Sequence, residues 1–178
     1  MSAKEVPDEL LQTCAAAKLA EALSGNPGRR QMSAPESLET RSSSAAAAAG
    51  TVPGRARPQV LYIEDEPLNA ELMRALFDRR PHLELIVAAD GATAAAIAPT
   101  ISPQLLLVDL RLPDCLGSEL LPLLRLRFGW REVRAVAVTA EHGFGVGSSS
   151  FAEVWHKPMD LVHVLRRLDE WLPPDTSD

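Results

Sequence analysis

Four short apolar runs stand out in the second two-thirds of the chain: Val60-Leu61-Tyr62-Ile63, Leu85-Ile86-Val87-Ala88, Leu105-Leu106-Leu107-Val108 and Ala135-Val136-Ala137-Val138. Each is continuous rather than alternating, the pattern of strands covered on both faces of a parallel sheet. Between them the period lengthens. Pro67 stands where a first helical residue is favoured, and Leu68, Leu72, Ala75 and Leu76 form an apolar stripe that ends at Arg79-Arg80-Pro81. Gly91 to Ala98 is rich in alanine, Ser118 to Leu126 is rich in leucine, and Asp160 can cap a helix carrying Leu161, Leu165, Leu168 and Leu172. A fifth short strand is expected at about Glu153 to His156, just before that helix. Strands alternating with helices predict a doubly wound α/β domain over residues 58–173, with 174–178 a disordered C-terminus.

The first 57 residues read differently. Pro7, Asp8 and Glu9 mark the start of a candidate short helix over 8–24, in which Leu11, Ala15, Leu19 and Leu23 recur at helical spacing. It is read either as a docking helix or as a marginal helix on a loose tail, since isolated helices of this length are barely stable in water. Residues 24–58 are dominated by Ser, Gly, Pro and Ala, including Ser42-Ser43-Ser44 and Ala45 to Ala49, and cannot bury enough apolar surface to offset their ordering entropy. A disordered linker is expected there.

Charge sharpens the division. Residues 1–57 hold seven Lys/Arg against six Asp/Glu (+1), whereas 58–178 hold eleven against eighteen (−7), so the net charge of −6 comes from the second segment. An acidic folded part argues against nucleic-acid binding, where affinity comes from cations neutralising phosphates. No apolar run approaches the roughly 20 residues of a membrane span, and the N-terminus lacks the layout of a secretory signal; a cytoplasmic location without membrane contact is expected. Cys14 and Cys115 have no ligand spacing and read as free thiols, and His82, His142, His156 and His163 read as surface or packing residues.

In a doubly wound sheet the crevice lies beyond the carboxyl ends of the strands. The residues found there are Glu64-Asp65-Glu66 after the first strand, Asp109 after the third, Thr139-Ala140 after the fourth and Lys157-Pro158 after the fifth. Carboxylates about 4 Å apart repel by roughly 4 kcal/mol per pair at an effective dielectric near 20. Convergence of Glu64, Asp65 and Asp109 therefore calls for a cation, and an all-oxygen site suits Mg²⁺.

The segments Val60 to Pro67, Leu106 to Asp114, Val138-Thr139-Ala140 and Lys157-Pro158, in this order, resemble the receiver domain of bacterial two-component response regulators over residues 58–172. The resemblance implies a flavodoxin-like five-stranded sheet in the order 2-1-3-4-5. It implies that Asp109 is the phosphoacceptor, with Thr139, the Ala140 amide and Lys157 contacting the phosphoryl group. Mg²⁺ would be held by Asp65, Asp109 and the Arg111 carbonyl, with Glu64 as the acidic partner. It further implies a histidine kinase or His-phosphotransfer protein as donor, an unidentified downstream protein, and signalling rather than enzymatic turnover beyond Mg-dependent self-phosphorylation and slow autodephosphorylation. The expectation is a single-domain response regulator in a phosphorelay. Its alternative is a receiver-fold interaction module without phosphorylation, and a phosphatase of another α/β family is disfavoured because Arg111 stands where a second catalytic acid would be needed.

Two departures bear on output. The position three before Lys157, usually aromatic in receivers, is Val154, flanked by Phe151 and Trp155. The stretch 143–150, with its glycines and serines, predicts that the usual fourth helix is short, frayed or absent. Arg111 and Glu141, each two residues past a site residue, correspond to variable positions flanking the phosphoryl site; they are read either as a pair that screens it from water or as an ordinary solvent-exposed pair.

Overall fold

The computed structural model describes residues 56–144 and 150–174; the candidate helix over 8–24 and most of the predicted linker lie outside them. The described chain runs β1 (Gln59–Ile63), α1 (Pro67–Phe77), β2 (Glu84–Ala88), α2 (Gly91–Ile97), a 3-10 turn (Ala98–Thr100), β3 (Pro103–Asp109), α3 (Gly117–Phe128), β4 (Arg134–Thr139), β5 (Glu153–His156) and α4 (Leu161–Trp171). The five strands form one sheet in the order β2-β1-β3-β4-β5, every pair parallel. This is the predicted flavodoxin-like receiver fold.

Alternate residues of a strand face opposite sides of a sheet, and here the two sides bury two cores. Leu61, Ile63, Leu106, Val108, Ala135 and Ala137 pack under α2 and α3. Val60, Tyr62, Leu105, Leu107, Val136, Val138 and Trp155 pack under α1 and α4. The central strand β3 is buried along nearly its whole length, which is why its sequence shows no alternation. The edge strands are less covered: β2 is half-buried except at Ala88, so its unbroken apolar run overstated its burial.

Caps fix where the helices begin. The Glu66 carboxylate accepts from the Leu68 amide with Pro67 at the first helical position, Asp90 accepts from Thr93, and Asp160 accepts from Val162 and His163 as its sequence position predicts. The stripe predicted for α1 is rotated. Its buried residues are Ala70, Met73, Leu76 and Phe77, while Leu68 and Leu72 are 73% and 38% exposed. The physical reason lies at the first turn, where the Asn69 amide reaches Glu64 at 3.0 Å and so turns the 69–73–76 face inward.

Between β4 and β5 the described residues 140–144 and 150–152 contain no helix, in line with their glycine and serine content. Phe151 is buried there, with Phe144 set edge-on to it at 6.1 Å. Arg125 of α3 donates to the Ser150 and Val133 carbonyls, tying the link to the sheet.

Candidate functional site

Strand geometry brings the predicted residues to one edge. Glu64 and Asp65 follow β1, Asp109 ends β3, Thr139 ends β4, and Lys157 follows β5, its amide donating to the Thr139 carbonyl at 2.8 Å. The Lys157–Pro158 peptide is cis. Glu64, Asp109 and Thr139 are the buried polar side chains of the described residues, an arrangement that costs desolvation unless each is paired.

Lys157 supplies most of the pairing. Its Nζ lies 2.5 Å from Asp109 Oδ2 and 2.8 Å from Glu64 Oε1. Asp109 Oδ1 accepts from the Arg111 amide at 2.9 Å. Burial would lower the Lys157 pKa, but the hydrogen bonds it donates to Asp109 and Glu64 outweigh this and hold the ammonium above its ordinary value. For Asp109 burial wins: despite the Arg111 amide and Lys157, its carboxyl sits above the usual aspartate value, with the Glu64 charge adding to the rise. Burial also pushes Glu64 upward, yet Lys157, Tyr62 and Asn69 hydrogen bonds together bring it below its ordinary value.

Carboxylate oxygens of Glu64, Asp65 and Asp109 lie within 4.8 Å of one another. Three carboxylates against the single Lys157 ammonium leave an excess of about two negative charges, which fits a divalent cation on hard oxygen ligands. Asp65 is exposed at the mouth, where a partly hydrated ion would approach.

The β3–α3 loop is pinned on both sides. Asp114 accepts from the Gly91 and Ala92 amides at 3.0 and 2.8 Å, and Arg111 forms a bridge to Leu116. Gly117 is the first residue of α3. A Cβ there would sit 2.1 Å from the Asp109 carbonyl oxygen, so glycine lets the helix start against the strand that ends in Asp109. Thr139 Oγ1 accepts from the Glu141 amide at 3.0 Å. Ala140 is exposed beside it, and Arg111 pairs with Glu141 at 2.5 Å across the mouth.

Sequence reasoning missed two members. Tyr62 donates to Glu64 Oε2 at 2.6 Å, and Asn69 donates to Oε1. The signal for Tyr62 was its spacing, since residues two apart on a strand share a face. The histidines do not cluster as metal ligands: His163 meets Glu153, and His142 and His82 contact backbone carbonyls.

Residues 60–147 match the model of the response regulator receiver domain. The polar-differentiation response regulator DivK of Brucella anthropi is 33% identical over 81 residues, which cover 46% of this chain and 65%, just under two thirds, of the relative. The receiver domain of the sensor histidine kinase PA1611 from Pseudomonas aeruginosa, solved with a magnesium ion in its active site cleft, superimposes with a TM-score of 0.57 at 25% identity, over 67% of this chain and 100% of that one. TrrA of Thermotoga maritima shares the fold at a TM-score of 0.57 and 19% identity, over 65% of this chain and 99% of that one. The chain carries a response regulator receiver domain, the signalling module of two-component systems. Such domains are signalling proteins rather than conventional enzymes, and among the described residues no helix is long and apolar enough to cross a membrane.

Proposed function

We propose that Asp109 accepts a phosphoryl group from the phosphohistidine of a histidine kinase or His-phosphotransfer protein, or from a small acyl phosphate. The observation that carries this reading is the setting of its carboxylate: one oxygen on the Lys157 ammonium, the other on the Arg111 amide, with Glu64 and Asp65 alongside. An Asp109 oxygen forms the new P–O bond while the P–N bond of phosphohistidine breaks, and its electron pair leaves with the imidazole nitrogen, which takes up a proton from solvent. Lys157 neutralises charge on the phosphoryl oxygens, and Thr139 with the Ala140 amide offers hydrogen bonds to them, so positioning and electrostatics supply the rate. Asp65, Asp109 and the Arg111 carbonyl, with Glu64 beside them, would hold Mg²⁺, as the cleft of the P. aeruginosa relative does. When bound, that ion supplies charge neutralisation between the entering phosphoryl group and the carboxylates.

Incubation with acetyl phosphate and Mg²⁺ followed by intact mass spectrometry tests the reading. A single phosphoryl adduct on the wild type, absent from Asp109→Asn, is expected. No adduct on the wild type, or an undiminished one on the variant, overturns it.

A further inference from the structure

The most heavily engaged carboxylate of the site is not the phosphoacceptor but Glu64. Its Oε2 accepts from Tyr62 Oη at 2.6 Å, and its Oε1 takes Lys157 Nζ at 2.8 Å, Asn69 Nδ2 at 3.0 Å and the Glu66 amide at 3.3 Å. Its side chain has no solvent exposure. A carboxylate with two oxygens offers about four acceptor sites, and four of the protein's own donors converge on Glu64, three on Oε1 and one on Oε2. The phosphoacceptor differs: Asp109 has the Arg111 amide on one oxygen and Lys157 on the other. Lys157 is thus held between a fixed carboxylate and a reactive one.

Tyr62 explains why Glu64 is fixed. Its ring is fully buried in the core beneath α1 and α4, and a packed aromatic with two side-chain torsions delivers its hydroxyl to one place. A tyrosine in a strand core normally needs some partner for its hydroxyl; here the partner is the carboxylate that anchors the site lysine. A phenylalanine would fill the same space without reaching Glu64.

We propose that Tyr62, assisted by Asn69, is a positioning residue for phosphoryl uptake: it immobilises Glu64, and Glu64 in turn holds the Lys157 ammonium against Asp109. The assignment of uptake to Asp109 is the reading it rests on. The Tyr62 hydroxyl hydrogen-bonds Glu64 rather than Asp109 and acts through it. With Glu64 free to swing, Lys157 would divide its time among acceptors, and the fraction of molecules with the ammonium beside Asp109 would fall.

The test compares wild type with Tyr62→Phe and Asn69→Ala, the second guarding against any folding defect in the first. Nitrogen-15 NMR of the Lys157 Nζ, read without any phosphodonor, reports the anchor itself: a slowly exchanging ammonium in the wild type and a faster-exchanging, shifted one in both variants. Uptake from acetyl phosphate at saturating Mg²⁺ should fall about tenfold in Tyr62→Phe, the size expected for losing a hydrogen bond to a charged group, while the Mg²⁺ affinity stays within about twofold. An unchanged Lys157 resonance in both variants overturns the proposal whatever the rate does. Uptake by Tyr62→Phe equal to the wild-type rate at saturating Mg²⁺ also overturns it, because any loss at lower Mg²⁺ would then come from the cation site instead. If the wild type takes up no phosphoryl group but its Lys157 signal responds to Tyr62→Phe, the assignment of Asp109 fails and the anchoring of Lys157 stands.

Discussion

Replacing Gly117 with alanine should damage both the fold and the site, although alanine is the better helix former. The added Cβ would lie 2.1 Å from the Asp109 carbonyl oxygen, 2.8 Å from Val108 Cγ1 and 3.0 Å from the Asp109 carbonyl carbon. The first of these is more than about 1 Å short of an ordinary contact. Two of the three atoms are backbone, which no rotamer change can move, so α3 and β3 must separate. Overpacking of this kind costs about 1–3 kcal/mol, and alanine's helical preference returns less than about 1 kcal/mol. A net loss of about 2 kcal/mol lowers the melting temperature by roughly 10 °C for a domain of this size. Thermal unfolding by circular dichroism measures it, with Gly143→Ala as control, since a Cβ at Gly143 meets nothing within 4 Å. Separation also displaces the backbone that carries Asp109 and the Gly117 amide bond to the Leu110 carbonyl, so uptake of the phosphoryl group should fall along with stability. A Gly117→Ala protein that melts within about 2 °C of wild type would refute the close approach of α3 to β3.

Three further outcomes are expected. Mg²⁺ should bind weakly, near the millimolar range for an ion that keeps several waters, and Asp65→Asn should weaken it further in a titration followed by tryptophan fluorescence; equal affinities would remove Asp65 from the site. Glu64 lies below its ordinary value of 4.5 in the folded state, so the stability it contributes is present above pH 4.5 and is lost as pH falls through the depressed folded value; Asp109, raised by burial, works in the opposite sense, and Glu64→Gln should therefore flatten the acid limb of a melting-temperature profile more than Asp109→Asn does. Arg111→Ala removes an exposed ion pair and should change stability by less than about 1 kcal/mol, while shortening the phosphoryl lifetime if the pair screens water; an unchanged decay rate by mass spectrometry would make the pair a surface feature.

The legibility of this chain follows from what each signal depends on. Strands β1, β3 and β4 were readable because burial on both faces removes polar residues, and the site was readable because chemistry-bearing residues occur directly at strand ends. The rotation of α1 was not readable. Leu68 and Leu72 fit a helical stripe as well as Met73 and Phe77 do, and the choice between them is made by Asn69 reaching Glu64, a contact between elements. Gly117 carried the same ambiguity, since a glycine that opens a bend and one that admits a close backbone approach are identical in sequence. Tyr62 was concealed by its own success as a core residue: in an apolar run it counts as one more buried aromatic, and its hydroxyl acquires meaning only when Glu64 is known to curl back beside it.

The same dependence on partners bears on how the site communicates. Val154, at the position where receivers usually carry an aromatic, is half-buried on the α2–α3 side with Phe144 and Phe151. Trp155 faces the other core, stacked parallel to Trp171 with ring centres 6.2 Å apart, and the guanidinium groups of Arg134 and Arg167 lie over the Trp171 ring at 4.6 and 4.5 Å. The aromatic mass near β5 is thus committed to packing on both faces of the sheet, and the Phe144–Phe151 contact joins the segment after Thr139 to the segment before β5. A change at Thr139 that moves Glu141 will pull on Phe144 within a few residues, and Phe144 rests on Phe151 and the core it belongs to. Besides the direct pairing of Thr139 with the end of β5, that edge-on aromatic contact is a route by which a response to phosphorylation on this side can reach the segment before β5. Phe144→Ala, which leaves every site residue in place, should uncouple the segment before β5 from a phosphoryl mimic at Asp109. Hydrogen exchange around residues 150–153 that responds to beryllofluoride as fully in Phe144→Ala as in wild type would show that the signal takes another path.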